Sequence, residues 1–158
     1  MVRSTVVGAT DEFIVEQTRT SKTYSDIYND PIMKQIDKKI RDTLGIPLKY
    51  SEAIQGQVYE VGQEFKNHTD YFHSDSALSK NQRTWTFMVY LNDVKKGGNT
   101  YFPKENITFT PSIGKAVIWN NLDEHGVPNP YTEHCGEPIV EGKKIIITKW
   151  FHEFPYTS

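Results

Sequence analysis

Cysteine is almost absent from this chain: Cys135 is the single thiol among 158 residues. An internal disulfide is therefore impossible, and a zinc site built on cysteines lacks its ligands. No apolar stretch approaches the roughly 18 residues that a membrane-spanning helix needs. The segment from Met1 to Gly8 is too short in apolar length for a signal peptide. Charge of one sign is missing as well: 18 basic residues stand against 20 acidic ones, a net charge of −2, with no long basic run. That removes the electrostatic footprint of a nucleic-acid binder. Repeats, low-complexity tracts and linkers are also lacking. These gaps point to a soluble, cytoplasmic protein with no nucleic-acid or membrane partner.

What is present fits a single folded unit. Hydrophobic residues make up 37% and charged residues 24%, polar but globular. Aromatics reach 13%, a share suited to β-rich packing and a lined pocket. The length argues for one domain over 1–158. Within it, 1–50 reads as a strand and helix that support a core spanning 51–155. Phe13–Thr18 is a first strand candidate. A helix follows: Asp30 suits its N-cap, Pro31 its first turn, and Gly45 its C-terminal cap. Ile32, Ile36, Ile40 and Leu44 recur every four residues and predict one apolar stripe.

After Pro47 the pattern changes to short β-like runs at Ala53–Val61, Thr84–Leu91, Lys115–Trp119 and Lys144–Phe151. Turn residues separate them, including Gly97-Gly98 and Pro111-Ser112-Ile113-Gly114. One helix followed by many short strands predicts a helix packed on a β-sandwich or barrel, a class that includes cupin-like jelly rolls. The last run splits by parity. Lys144, Ile146, Thr148, Trp150 and His152 share one face, and Ile145, Ile147, Lys149 and Phe151 the other. The first set makes an odd core but a reasonable wall for a polar pocket.

The residue types that carry chemistry are His68-Thr69-Asp70, His134 and Lys144. On an extended segment, residues two apart point to one face, so His68 and Asp70 can meet one metal. Two histidines and a carboxylate can hold one face of iron(II) and leave the opposite positions open. A cation beyond such a centre can hold the distal carboxylate of an organic acid. Ligand chemistry alone does not separate this motif from His73-Ser74-Asp75, or His134 from His125.

Several segments, in order, resemble the catalytic domain of the prolyl 4-hydroxylases, which are iron(II)- and 2-oxoglutarate-dependent dioxygenases. They are Tyr59-Glu60-Val61-Gly62-Gln63, His68 to Phe72, Met88 to Val94, Gly97 to Pro103, and His134 through Lys144 to Trp150. The resemblance is close from about Gln57 to His152. It implies a double-stranded β-helix, the cupin-like jelly roll, with the N-terminal helix packed on one sheet. It selects His68 over His73, and His134 over His125, because the family's second histidine lies ten residues before the lysine that binds 2-oxoglutarate.

Carried over residue by residue, the resemblance implies that His68, Asp70 and His134 bind Fe(2+). Lys144 pairs with the far carboxylate of 2-oxoglutarate, Tyr59 and Thr100 assist by hydrogen bonds, and Thr148 and Trp150 line the same cavity. Arg83 and His152 face a proline-containing peptide or protein substrate, and Phe65 stands where the family often has a substrate-facing tyrosine. Glu137 replaces a frequent cysteine, and Cys135 is a bystander, since neighbouring side chains on a strand point apart. The implied reaction hydroxylates a prolyl residue at C4 with O2 as cosubstrate, releases succinate and CO2, and uses ascorbate as reductant. The retained Asp70 argues against a halogenase, where a small residue replaces it. The lack of a signal peptide fits a bacterial or viral enzyme rather than one of the secretory pathway.

Three other readings stay in view. The same chemistry could act on a free amino acid or small molecule. The fold could be a non-catalytic, cupin-like metal- or ligand-binding module. A zinc hydrolase could use the same three ligands, but it gives no role to Lys144.

Overall fold

A computed structural model describes residues 2–3, 20–24 and 26–156. In chain order its elements are β1 (Val2–Arg3), β2 (Lys22–Tyr24), α1 (Pro31–Leu44), β3 (Gln55–Tyr59), β4 (Phe65–His68) and β5 (Arg83–Tyr90). There follow β6 (Lys96–Gly97), β7 (Thr100–Phe102), β8 (Ile107–Phe109), β9 (Ala116–Asn120), β10 (His134–Gly136), β11 (Ile139–Glu141) and β12 (Lys144–His152). The strand expected at Phe13–Thr18 lies outside the described residues. Among those residues, no helix is long and apolar enough to cross a membrane.

The strands form a six-stranded sheet ordered β1-β2-β3-β12-β5-β9, a four-stranded sheet ordered β4-β10-β7-β8, and the short pair β11-β6. Among the described residues every strand pairing is antiparallel. The two larger sheets enclose Tyr59, Met88, Tyr90, Phe102, Val117 and Ile146, giving the jelly roll expected from the sequence. Each strand shows one face to this interior because side chains alternate along an extended backbone.

The outer face of the larger sheet carries α1. Asp30 caps the helix, its carboxylate accepting from the Ile32 N–H at 2.7 Å, and Gly45 ends it at φ 71°. Both ends follow from the sequence: a short acceptor side chain satisfies first-turn N–H groups, and glycine enters the left-handed region without a Cβ clash. The buried stripe differs from the expected one by one position. Met33, Ile36, Ile40 and Leu44 face Ile54, Phe87, Ile147 and Phe151, whereas Ile32 is 62% exposed. Ile32 lies in the first turn, off the arc that the helix presents to the sheet. Each fully buried aliphatic side chain here contributes roughly 2 kcal/mol by removal from water.

The parity of β12 holds in three dimensions. Ile147 and Phe151 pack under α1, and Lys149 pairs with Asp37 of the helix at 2.7 Å. The even-numbered Lys144, Ile146, Thr148 and Trp150 face the interior cleft instead. A register shift falls between Phe151 and His152, and His152 is buried against Asn81 and Glu52. One nine-residue strand thus joins the helix-supported core to the cleft.

Candidate active site

Strand register brings the two histidines together. His134 of β10 pairs directly with His68 of β4, and their ring centroids lie 4.2 Å apart. Asp70 follows β4 by two residues and points its Oδ1 at both rings, 3.6 Å from His68 Nε2 and 3.9 Å from His134 Nε2. One ligand atom from each residue lies within 4.8 Å of the others, so the three can hold a metal ion. The chemistry of this donor set, two imidazoles and one carboxylate, suits iron(II).

Both imidazoles are oriented by the backbone. His68 Nδ1 lies 2.8 Å from the Lys66 carbonyl, and His134 Nδ1 lies 2.9 Å from the Thr132 carbonyl. A carbonyl accepts only, so each Nδ1 carries the proton and each Nε2 is left to coordinate. Phe65 stacks on His68 at 3.5 Å between centroids, and Phe102 and Trp119 flank His134. Burial pushes the Asp70 carboxyl up, but His134, His68 and Arg83 together with a Thr86 hydrogen bond outweigh it and hold Asp70 below the usual carboxylate value. Asp70 is thus ionised and ready to ligate.

Deeper in the same cleft sits Lys144, 2% exposed. Its ammonium donates to the Gly98 carbonyl at 3.1 Å and lies 4.5 Å from the centroid of the Tyr59 ring. Burial pushes it down to about 8, partly opposed by Cys135 and Glu137. Gly98 adopts φ 72°, and a Cβ there would sit 2.5 Å from Ile139 Cδ1. Glycine is therefore required to bring that carbonyl up to the lysine. Tyr59, Thr100, Thr148 and Trp150 line the cleft beside Lys144. The Trp150 Nε1 is buried with no hydrogen-bond partner among the described residues, a donor that faces a guest in the cleft.

Three partners were not legible in the sequence. Tyr90 lies 2.6 Å from the Thr100 hydroxyl, and burial raises its phenol to about 12, so it stays protonated. Thr86 donates to Asp70 Oδ2 at 2.7 Å. Glu52 takes Arg83 in a two-pronged pair, Nε at 2.6 Å and Nη2 at 2.9 Å, and also meets His152 Nε2 at 2.9 Å. Local patterning held no signal for these contacts, since Glu52 lies 31 residues from Arg83 and 100 from His152.

Arg83 and His152 thus share Glu52 beside the cleft rather than in its lining: His152 is buried, and the guanidinium lies 4.1 Å from the Trp150 ring centroid and 4.8 Å from that of Phe72. The two decoy histidines fall elsewhere. His73 is exposed, and so is His125, beside Glu124. Cys135 pairs with Tyr101 on the neighbouring strand, and burial pushes its thiol up.

Comparison with known proteins gives this geometry a lineage. Residues 54–152 match the 2OG-Fe(II) oxygenase superfamily. Prolyl 4-hydroxylase 2 of Arabidopsis thaliana is 32% identical over 87% of this chain, and the rat prolyl 4-hydroxylase subunit alpha-1 is 32% identical over 91%. The chain spans 54% of the plant relative and 28% of the rat one. Among solved structures, the viral collagen prolyl hydroxylase of Paramecium bursaria Chlorella virus-1, in complex with 2OG, superposes with a TM-score of 0.76. It is 28% identical, over 87% of this chain and 81% of its own. The chain belongs to the 2OG-Fe(II) oxygenase superfamily.

Proposed function

We propose that the chain, acting as one domain over 1–158 with its core at 51–155, hydroxylates a prolyl residue at C4 in a peptide or protein. The observation that carries this reading is the buried Lys144 ammonium in the same cleft as His68, Asp70 and His134. A metal-binding module has no need of a buried cation beside its ligands, whereas a dicarboxylic cosubstrate does. When bound, iron(II) with 2-oxoglutarate supplies the oxidation: O2 is split, 2-oxoglutarate leaves as succinate and CO2, and one oxygen atom enters the C–H bond.

The chain's own residues bind, orient and exclude water. His68 Nε2, His134 Nε2 and Asp70 Oδ1 hold the metal. Lys144 pairs with the far carboxylate of 2-oxoglutarate, and Tyr59 and Thr100 hydrogen-bond to it. Thr148 and Trp150 wall the cosubstrate cavity. Phe65 fixes the His68 ring and, lacking a hydroxyl, offers the substrate an apolar surface. Arg83 and His152, beside the cleft, face the peptide. Ascorbate serves as the reductant that keeps the metal divalent. A chain with one cysteine fits a reducing compartment such as the cytoplasm of a bacterial or virus-infected cell.

The state of Arg83 favours a peptide over a free amino acid. Glu52 already neutralises its guanidinium through two hydrogen bonds. That guanidinium is therefore not a free cation for the carboxylate of free proline, and its remaining donors suit neutral peptide carbonyls. The experiment supplies iron(II), 2-oxoglutarate and ascorbate with either a proline-rich peptide or free proline. A 16-dalton gain on the peptide, matched by succinate, is expected (roughly the mass of one oxygen atom, the reaction delivering one). Oxidation of free proline alone would replace this reading with the small-molecule one, and absence of succinate would leave a binding module.

A further inference from the structure

The two oxygens of Asp70 have different partners. Oδ1 faces both imidazoles, while Oδ2 lies 2.7 Å from the Thr86 hydroxyl. Thr86 is on β5, opposite Trp150 on one side and Trp119 on the other, with 0% exposure. It therefore reaches Asp70 from the sheet that does not carry β4. Behind it, Asn121 Nδ2 donates to Thr86 Oγ1 at 2.9 Å. Asn121 is also 0% exposed, and its backbone is pinned at both ends: its N–H donates to Thr84 O at 2.7 Å, and its carbonyl accepts from Asn129 N at 2.9 Å.

Proton accounting gives this chain of contacts a direction. An ionised carboxylate only accepts, so the Thr86 hydroxyl proton must point at Oδ2. Thr86 Oγ1 then has only lone pairs for its other neighbour, so Asn121 must present its NH2 there. With the amide reversed, both Asn121 and Asp70 would demand the same proton. The amide thus fixes the hydroxyl rotor, and the hydroxyl fixes the carboxylate.

We propose that Thr86 and Asn121 are positioning residues that occupy Asp70 Oδ2 and so leave Oδ1 as the only carboxylate oxygen offered to the metal. The proposal rests on His68, Asp70 and His134 being the metal site. A carboxylate can give a metal one oxygen or two. A second oxygen would fill a position that a three-ligand face must keep open for its reactants. A short hydrogen bond to a buried carboxylate is of the strong, charge-assisted kind, enough to bias that choice. Loss of such an outer partner typically weakens metal affinity by about 10- to 100-fold.

The test uses cobalt(II) alone as the probe, with the whole metal-stripped chain, and reads both the dissociation constant and the visible absorption bands, which report coordination number. Thr86→Val keeps the shape and removes the proton. It is expected to weaken cobalt binding about 10- to 100-fold and to alter the bands, while Thr86→Ser keeps the wild-type affinity and spectrum. Unchanged affinity and spectrum in Thr86→Val overturn the proposal while the metal site stands. A wild-type chain that binds no cobalt overturns the metal reading, and the proposal with it. Should Thr86→Val fail to fold by circular dichroism, Asn121→Leu decides. It frees the hydroxyl rotor and is expected to weaken and spectrally alter cobalt binding in the same direction, and wild-type behaviour overturns the proposal.

Discussion

Lys144 of β12 stands directly opposite Tyr59 of β3, and its ammonium lies 4.5 Å from the centre of that ring. Gly98 supplies one carbonyl acceptor at 3.1 Å. The ammonium is thus buried with part of its donor capacity unspent, which suits a carboxylate guest better than an isolated fold. Lys144→Ala is expected to raise the KM for 2-oxoglutarate about 10- to 100-fold, the worth of a charge-assisted hydrogen bond of roughly 1.5–3 kcal/mol. Metal binding should be little changed. Steady-state kinetics with 2-oxoglutarate varied, beside a cobalt titration, check both; an unaltered KM would sink the assigned role.

The same lysine sets a pH dependence. Burial holds it at about 8, against an ordinary value of 10.5. In the free protein the cationic form is lost as pH rises through about 8, so 2-oxoglutarate affinity should fall above that point. Stability has the opposite sign. Between about 8 and 10.5 the unfolded chain binds the proton that the folded one has released, so this group adds stability as pH rises there. Calorimetric titration of 2-oxoglutarate at several pH values, with denaturant melts of the free protein alongside, separates the two. Affinity that stays flat through that range would contradict the buried ammonium.

His68→Ala, Asp70→Ala and His134→Ala should each abolish turnover and weaken metal binding, because every one removes a member of a three-atom face. Succinate release and cobalt binding are the measurements. Full activity in any of the three would refute the ligand set.

The Lys149–Asp37 pair concerns the fold rather than the chemistry. The lysine side chain is 3% exposed and the aspartate 23%. Asp37→Ala would leave a buried ammonium unpaired and is expected to cost about 2–3 kcal/mol, at or below the low end for a buried pair because Asp37 still touches solvent. The KM for 2-oxoglutarate should not move. Chemical denaturation of wild type and variant measures the difference, and a loss under about 0.5 kcal/mol would show the pair to be dispensable.

Much of this architecture was legible because it is periodic. Thr84–Leu91 and Lys144–Phe151 are apolar, β-branched or aromatic and appear as β5 and β12 within a residue. The smaller sheet was not. β4, β7 and β10 have three or four residues each, some polar or glycine, and owe their extended form to pairing with distant partners. Yet His68 and His134 ride on two of these strands, so spacing within a known family located them where periodicity had no purchase. Thr86 shows the opposite case. Its strand was plain, but nothing in its neighbours reveals that Asp70 and Asn121 converge on its hydroxyl. Ile32 marks the limit of a four-residue rule: at 3.6 residues per turn the stripe drifts, and Met33 takes its place.

The two-sided construction of β12 has a practical consequence for anyone who mutates this chain. Neighbouring positions, one peptide bond apart, answer different questions. A screen that scores only protein abundance reads Ile147, Lys149 and Phe151 and is nearly blind to Lys144, Thr148 and Trp150. One that scores only product confuses a melted helix contact with a lost cosubstrate contact. Measured together along the strand, the two phenotypes should alternate with the pleat itself, and the position where that alternation fails would mark where the cleft wall ends and the rim begins.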